Sequence, residues 1–288
     1  MSLLLSPQIQ AFIAVAEHKS VHQAAFDLHI TQTAVTQRLR TLEAKLNLSL
    51  FVRSRRGMLL TPEGESLLRY AYAARSLEDE TLLQIQHQGR TKNVELTLCG
   101  PTSIMSSRVI PACFQVMRDF PNLLLHFDIT DNEDRHQRLR EGRCQFAIIQ
   151  PEHLSAEMQS KPLRQEQYVL VCTTAWQGRE LAEIIQNENI IDYNPDDQTT
   201  FNYLKQYDLF NRVRHERHFV NRTESIAMMI AAGHGYGLLT REFCQSYIDE
   251  GSMLILNQGK IFENQMVLAY YPRPFHSNYF ASLIQHIE

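Results

Sequence analysis

Between residues 31 and 40 the chain carries Thr31, Gln32, Thr33, Thr36, Gln37 and Arg40: hydroxyl, amide and guanidinium groups with no carboxylate among them. Side chains of this kind pair donors and acceptors with base edges in a major groove, and nothing in the set repels phosphate. A second set follows at Arg53, Arg55 and Arg56, before Gly57, where guanidinium groups suit a sugar-phosphate backbone. Bond-breaking chemistry is not signalled. There is no G-x-S-x-G elbow, no H-E-x-x-H helix and no Walker loop, so no residue is assigned a catalytic role. Gly233-His234-Gly235-Tyr236-Gly237 lacks dinucleotide spacing and reads as a helix C-cap leading into a strand. His215-Glu216-Arg217-His218 offers two imidazoles without a second pair, so neither a metal nor a cofactor is expected. The five cysteines are odd in number and set in apolar runs, which fits reduced core thiols; no close pair in the sequence suggests a redox couple.

Presenting a polar stripe takes a helix with a buried back. Val35, Leu39, Leu42 and Leu46 recur at steps of four, three and four and place an apolar face opposite the stripe. Thr31 is the expected N-cap, and Asn47 tolerates the left-handed backbone that ends a helix. Two shorter helices come first. Ser6-Pro7 is a cap followed by proline at the first helical position, and Ser20 opens a helix whose Ala24 and Ala25 let another cross closely. After the third helix, the basic Phe51 to Arg56, then Gly57, then Met58-Leu59-Leu60 read as a β-hairpin wing. Thr61-Pro62 starts a long helix toward Gln88, with a seam of Leu68, Ala71, Arg75, Glu78, Leu82 and Ile85. Such a helix packs on its own domain or on its copy in a second chain.

Charge separates the two parts of the chain. Seven bases against three acids give +4 over residues 1–58, which leaves −8 for the rest of a chain whose total is −4. A basic segment on an acidic body suggests one part that meets a polyanion and another that does not. Beyond Arg90-Thr91-Lys92-Asn93, β-rich runs alternate with amphipathic helices, which predicts parallel α/β construction. Leu3 to Leu5 is too short for a membrane span and lacks the flanks of a secretory signal, so a cytoplasmic chain is expected.

The run Ser20-Val21-His22-Gln23-Ala24-Ala25-Phe26-Asp27-Leu28-His29-Ile30-Thr31-Gln32-Thr33-Ala34-Val35-Thr36-Gln37-Arg38-Leu39-Arg40-Thr41-Leu42-Glu43 resembles the signature of LysR-type transcription regulators. It continues in Leu46, Leu50-Phe51, Arg53 and Leu60-Thr61-Pro62-Glu63-Gly64. Thr36 stands where that family usually has Ser, and Asn47 where it usually has Gly. The resemblance implies a winged helix-turn-helix DNA-binding domain over residues 1–61, a linker and dimerisation helix over 62–92, and an effector domain over 93–288. That last domain would be a two-lobed α/β fold like periplasmic binding proteins, with lobe I over 93–164 and 264–288, lobe II over 165–263, and crossings near Arg164 and Glu263. Implied with it are double-stranded DNA carrying an interrupted inverted repeat, a small-molecule effector, a homodimer that assembles into a tetramer, contact with RNA polymerase, and no enzymatic activity.

Open α/β sheets hold ligands at the carboxyl ends of their strands. The candidate liners are therefore Pro101, Thr102, Ser103, Thr130, Asp131 and Gln150 in lobe I, and Tyr193, Asn194, Asp196, Asn221, Thr223 and Glu224 in lobe II. Thr102-Ser103 reads equally as a carboxylate site or as plain caps. The acids Asp131, Glu133, Asp134, Asp192, Asp196 and Asp197 pair with a cationic ligand or are solvated loop acids. Arg138-Leu139-Arg140-Glu141-Gly142 and Ile190-Ile191-Asp192-Tyr193 resemble the branch of the family that responds to arginine or lysine, which suggests a basic amino acid as effector.

Overall fold

The structure is a computed structural model that describes residues 5–55, 57–85, 93–131, 134–272 and 278–288. Its first helices begin where the caps lie. In α1 (Pro7–His18) Ser6 accepts from the Ile9 N–H, in α2 (Val21–Asp27) Ser20 accepts from Gln23, and in α3 (Gln32–Leu46) Thr31 accepts from Ala34. Asn47 ends α3 with φ of 53°. Phe12, Val15, Ala24, Val35, Leu39 and Leu42 form the shared core of the three helices. Leu46, expected on the same face, is 42% exposed, because the last turn of α3 runs past that core. The wing is β1 (Phe51–Ser54) paired antiparallel with β2 (Gly57–Leu60). Gly57 has φ of 102°, and a Cβ there would meet the Lys19 carbonyl at 2.4 Å, so the wing can rest against the end of α1 only with glycine.

Helix α4 (Pro62–Ile85) follows, capped by Thr61 Oγ1, which accepts from the Gly64 N–H. Of the expected seam, Leu68, Ala71 and Glu78 are buried and Arg75 is exposed. The side chains of Leu82 and Ile85 and the helix end toward Gln88 lie outside the described residues, as do Arg56 and Glu133. No helix among the described residues is long and apolar enough to cross a membrane.

Lobe I begins with β3 (Val94–Gly100), then α5 (Thr102–Ile104), a π turn over Met105–Val109 and α6 (Ile110–Asp119). It continues through β4 (Leu123–Ile129), α7 (Arg135–Arg140), β5 (Phe146–Ile149) and β6 (Gln159–Pro162). Lobe II holds β7 (Glu166–Thr173), α8 (Leu181–Asn187), β8 (Ile190–Asp192), α9 (Thr199–Gln206), β9 (Arg217–Phe219) and α10 (Thr223–Ala231). It is completed by β10 (Gly237–Thr240), α11 (Arg241–Asp249), β11 (Met253–Ile255) and β12 (Ile261–Asn264), before the chain returns to lobe I as β13 (Val267–Tyr270) and α12 (Asn278–His286). The central strands β5 and β7 are covered on both faces, so they are buried along nearly their whole length. Leu96, Leu98, Phe146 and Ile148 point to one core of lobe I, and Cys99, Ala147 and Ile149 to the other. In β7, Leu170 and Cys172 likewise oppose Val169 and Val171.

The expected parallel construction is corrected: the lobe I sheet is mixed and the main lobe II sheet is antiparallel. Lobe I runs β4-β3-β5-β13-β6, with β3 parallel to β4 and β5 but β13 antiparallel to β5 and β6. In lobe II, β7 pairs antiparallel with β10, β11 and β12, and β8 and β9 form a separate parallel pair. The cause is the double crossing. The outgoing Leu163 N–H donates to the incoming Met266 carbonyl, so the two passes lie side by side in opposite directions, and the strands that continue them, β7 with β12 and β6 with β13, inherit that sense.

Helix α7 also touches α4. Gln137 Nε2 donates to Glu65 Oε1 at 2.7 Å, and Arg69 donates to the Arg140 carbonyl at 3.2 Å and to Glu157 at 2.5 Å while lying over the Tyr271 ring. Gly142 allows the approach, since a Cβ there would meet the Tyr72 ring at 2.6 Å. The Tyr72 hydroxyl in turn donates to Glu17 of α1 at 2.8 Å, and burial beside that carboxylate pushes the phenol's pKa up.

Candidate functional site

Two surfaces carry the candidate residues. On α3, Gln32, Thr33, Gln37 and Arg40 are exposed and Thr36 is half-exposed. The Thr36 hydroxyl donates to the Gln32 carbonyl at 2.9 Å, which leaves its oxygen able to accept. Thr31 is committed to its cap, accepting from Ala34 at 3.1 Å. The first turn of α3 contains no acidic residue, so the positive end of the helix dipole is unopposed there. Arg53 in β1 and Arg55 in the wing turn are exposed. Glu43, the first acid along α3, points away from this use: it accepts from the Leu50 N–H at 2.8 Å and fixes the start of the wing.

The second surface is a cavity of about 410 Å³ lined from both lobes. Pro101, Ser103, Asp131 and Gln150 line it from lobe I, and Tyr193, Asn194, Asp196 and Thr223 from lobe II. Thr102 and Thr130 are buried just behind the wall. Asn221, which precedes the α10 cap, and Glu224, in the first turn of α10, are exposed and do not line the cavity. The carboxylate of Asp131 is fully engaged. Its Oδ1 accepts from the Thr102 N–H at 2.7 Å, and its Oδ2 from the Thr102 hydroxyl at 3.0 Å, the Thr223 hydroxyl at 3.1 Å and the Thr223 N–H at 3.4 Å. Glu166 is 2% exposed and accepts from Ser103 Oγ at 2.8 Å, Asn264 Nδ2 at 3.0 Å and the Tyr168 hydroxyl at 3.4 Å. Burial pushes its pKa up, and these hydrogen bonds offset part of that rise. Asp192 is not a loop acid but the last residue of β8, buried and paired with Arg217 at 3.0 Å. Gln150 Oε1 is shielded from solvent and has no hydrogen-bond partner among the described residues.

Residues 7–65 match the family of bacterial regulatory helix-turn-helix proteins named lysR, and residues 89–288 match the LysR substrate binding domain. The chain belongs to the LysR family. Among its relatives, the nitrogen assimilation regulatory protein nac of Escherichia coli is 25% identical over 244 residues, covering 83% of this chain and 79% of nac. The transcriptional regulator LysG of Mycobacterium tuberculosis is 27% identical over 254 residues, covering 86% of this chain and 82% of LysG. A solved full-length LysG from Corynebacterium glutamicum with bound effector Arg has the same fold, with a TM-score of 0.73 at 20% identity over 98% of this chain and 96% of that one.

Within this LysR-family fold, several cavity residues escaped the sequence reading: Arg135, Glu166, Tyr168, Thr200 and Asn264. Arg135 is buried and donates to the carbonyls of Thr130 at 3.0 Å and Ile148 at 2.9 Å. An acid opening an apolar β run, as Glu166 does in Glu166-Gln167-Tyr168-Val169, was the available signal. The sequence also hid a thiol pair. Cys144 lies with Cys99 in the same core cluster of lobe I, and that neighbouring thiol together with burial holds the Cys144 thiol well above its usual pKa, the reverse of a reactive thiolate. His215 packs on Phe201 and Phe210, and His218 Nε2 meets Asn189 at 2.9 Å; no group of three metal-ligating residues occurs among the described residues.

Proposed function

We propose that this chain is a sequence-specific transcription regulator whose grip on DNA changes when a basic amino acid fills the cleft between its lobes. It acts as a homodimer, assembling into a tetramer, with two α3 helices on an interrupted inverted repeat and with RNA polymerase as a further contact. It catalyses no reaction, and it works in the cytoplasm, where the chromosome is. The residues that meet DNA are the α3 stripe with Arg53, Arg55 and Arg56.

The observation that carries the effector class is the charge of the cavity. Asp131, Glu166, Asp192, Asp196 and Asp197 line it against a single guanidinium, Arg135, with Arg217 pairing Asp192 from outside the lining. A cleft of that sign concentrates cations. The bound Arg in the solved LysG is of this class. Filling the cleft selects one arrangement of the lobes, and α7, which runs from Arg135 at the cavity to Gln137 and Arg140 at α4, carries that choice toward the DNA-binding helices.

Calorimetry on the full chain tests this reading. Arginine or lysine is expected to give saturable heat, and an aromatic acid such as benzoate none; the opposite pattern removes the proposal. Because burial raises the Glu166 pKa and a bound cation favours the carboxylate, affinity is expected to fall as pH drops through the range where Glu166 takes up its proton. On the DNA side, Arg53→Ala is expected to weaken binding to all duplexes alike and to lower the salt slope by about one. Gln32→Ala is expected to shift preference at one base pair by about 1–3 kcal/mol in competition binding. A changed preference with an unchanged salt slope for the Arg53 variant would invert this division of labour.

A further inference from the structure

The donors around Asp131 are those an amino acid's carboxylate would use: two backbone N–H groups and two hydroxyls at the starts of helices on opposite lobes. The chain's own carboxylate already occupies them. We propose that Asp131 is an internal stand-in for the effector's carboxylate, so that effector binding is an exchange at this clasp. The α-carboxylate takes over Thr102 and Thr223, and the released Asp131 turns to the α-ammonium. This deepens, and rests on, the reading of the cleft as a basic-amino-acid site.

Charge explains why the exchange is selective. The cavity also holds Glu166, Asp192, Asp196 and Asp197, so freeing Asp131 without a new cation would leave its carboxylate without its hydrogen-bond donors among other acids. Arg135, the cation of the lining, has its donors directed at the Thr130 and Ile148 carbonyls. A carboxylic acid lacking an amino group therefore displaces Asp131 at a cost. A diamine offers nothing to Thr102 and Thr223, and leaves the clasp shut. An amino acid with a cationic side chain satisfies both ends, and its N–H groups also offer a donor to the shielded Gln150 Oε1. The clasp would thus set which ligands count as effectors, besides holding the lobes together in their absence.

The test uses three probes on the full-length protein: L-arginine, agmatine (arginine without its carboxylate) and 5-guanidinopentanoate (arginine without its amino group). With the unaltered chain, both analogues are expected to bind about 100-fold more weakly than arginine or worse, the scale for leaving one charged partner unmatched. In Asp131→Asn the penalty on 5-guanidinopentanoate is expected to shrink to about tenfold or less, while agmatine remains weak. Agmatine binding the unaltered chain as tightly as arginine, or an Asp131→Asn variant that rejects 5-guanidinopentanoate as strongly as before, would overturn the exchange. The clasp itself is read without ligand, by amide hydrogen exchange. The Thr102 N–H has no partner within its own helix, so its protection reports Asp131, and Asp131→Ala is expected to speed its exchange about tenfold or more. Thr223→Val, which removes one lobe II hydroxyl, is expected to keep Thr102 protected while loosening Thr223. An unprotected Thr102 amide in the ligand-free chain would overturn the clasp. Arginine failing to bind a chain whose Thr102 is protected through Asp131 would overturn the basic-amino-acid reading and support the clasp.

Discussion

Replacing Arg217 with Met is expected to lower the stability of lobe II by about 3–5 kcal/mol, the range for stranding one partner of a buried ion pair. Asp192 is 3% exposed and depends on the Arg217 guanidinium at 3.0 Å and the Thr200 hydroxyl at 2.6 Å. Arg217 also donates to the carbonyls of Pro195 and Asp197 and lies over the rings of Phe201 and Phe219, so the loop between β8 and α9, α9 itself and β9 loosen with it. The single tryptophan, Trp176, packs on the same core and reports lobe II unfolding by fluorescence. The pH dependence has a definite sign. Burial already raises the Asp192 pKa, and losing the cation raises it further, so the native state of the variant holds a proton the unfolded chain releases. The deficit should therefore be largest at neutral pH and shrink on acidification. Adding Asp192→Asn should recover part of the loss. A deficit below about 1 kcal/mol, or one that grows as pH falls, would show that the pair is not what holds this region.

Phe12→Ala should have an effect of similar size in the other half of the molecule, about 3–5 kcal/mol. Phe12 is fully buried beneath α3, with its ring 5.4 Å from that of Phe51 at the root of the wing. The cavity left behind lies between the helix that bears the polar stripe and the hairpin that bears Arg53, so both should lose their relative placement together. DNA binding is expected to disappear, while arginine calorimetry and the Trp176 transition stay near those of the unaltered chain, because Phe12 and Trp176 belong to separate cores. Retained duplex binding by this variant would mean that the stripe does not depend on the core behind it.

What could be read from the chain alone follows the range of the forces involved. The starts of α1, α2 and α3 were legible because Ser6, Ser20 and Thr31 each bond an N–H three residues on, an interaction written locally. Strand direction in lobe II was not, because β7 meets β10 and β12 across long separations and its sense is fixed by the double crossing. At the cleft, strand ends pointed to Asp131, Gln150 and Tyr193, whereas Glu166 and Arg135 belong to it through partners distant in sequence, Asn264 in one case and Ile148 in the other. Asp131 shows the limit most clearly. Its residue type suggested a partner for a cation, and only the fold reveals that its oxygens rest on Thr102 and Thr223.

The seam between α4 and α7 bears on how freely such a protein can be taken apart and recombined. Glu65, Arg69 and Tyr72 mate with Gln137, the Arg140 carbonyl and Gly142, so the long helix is tailored to the sensor it carries as well as to the DNA reader it follows. A hybrid made by grafting a foreign reader onto this sensor would keep its wiring only if the splice falls ahead of Glu65. A junction placed farther along would yield a molecule that senses and binds, with the two acts disconnected.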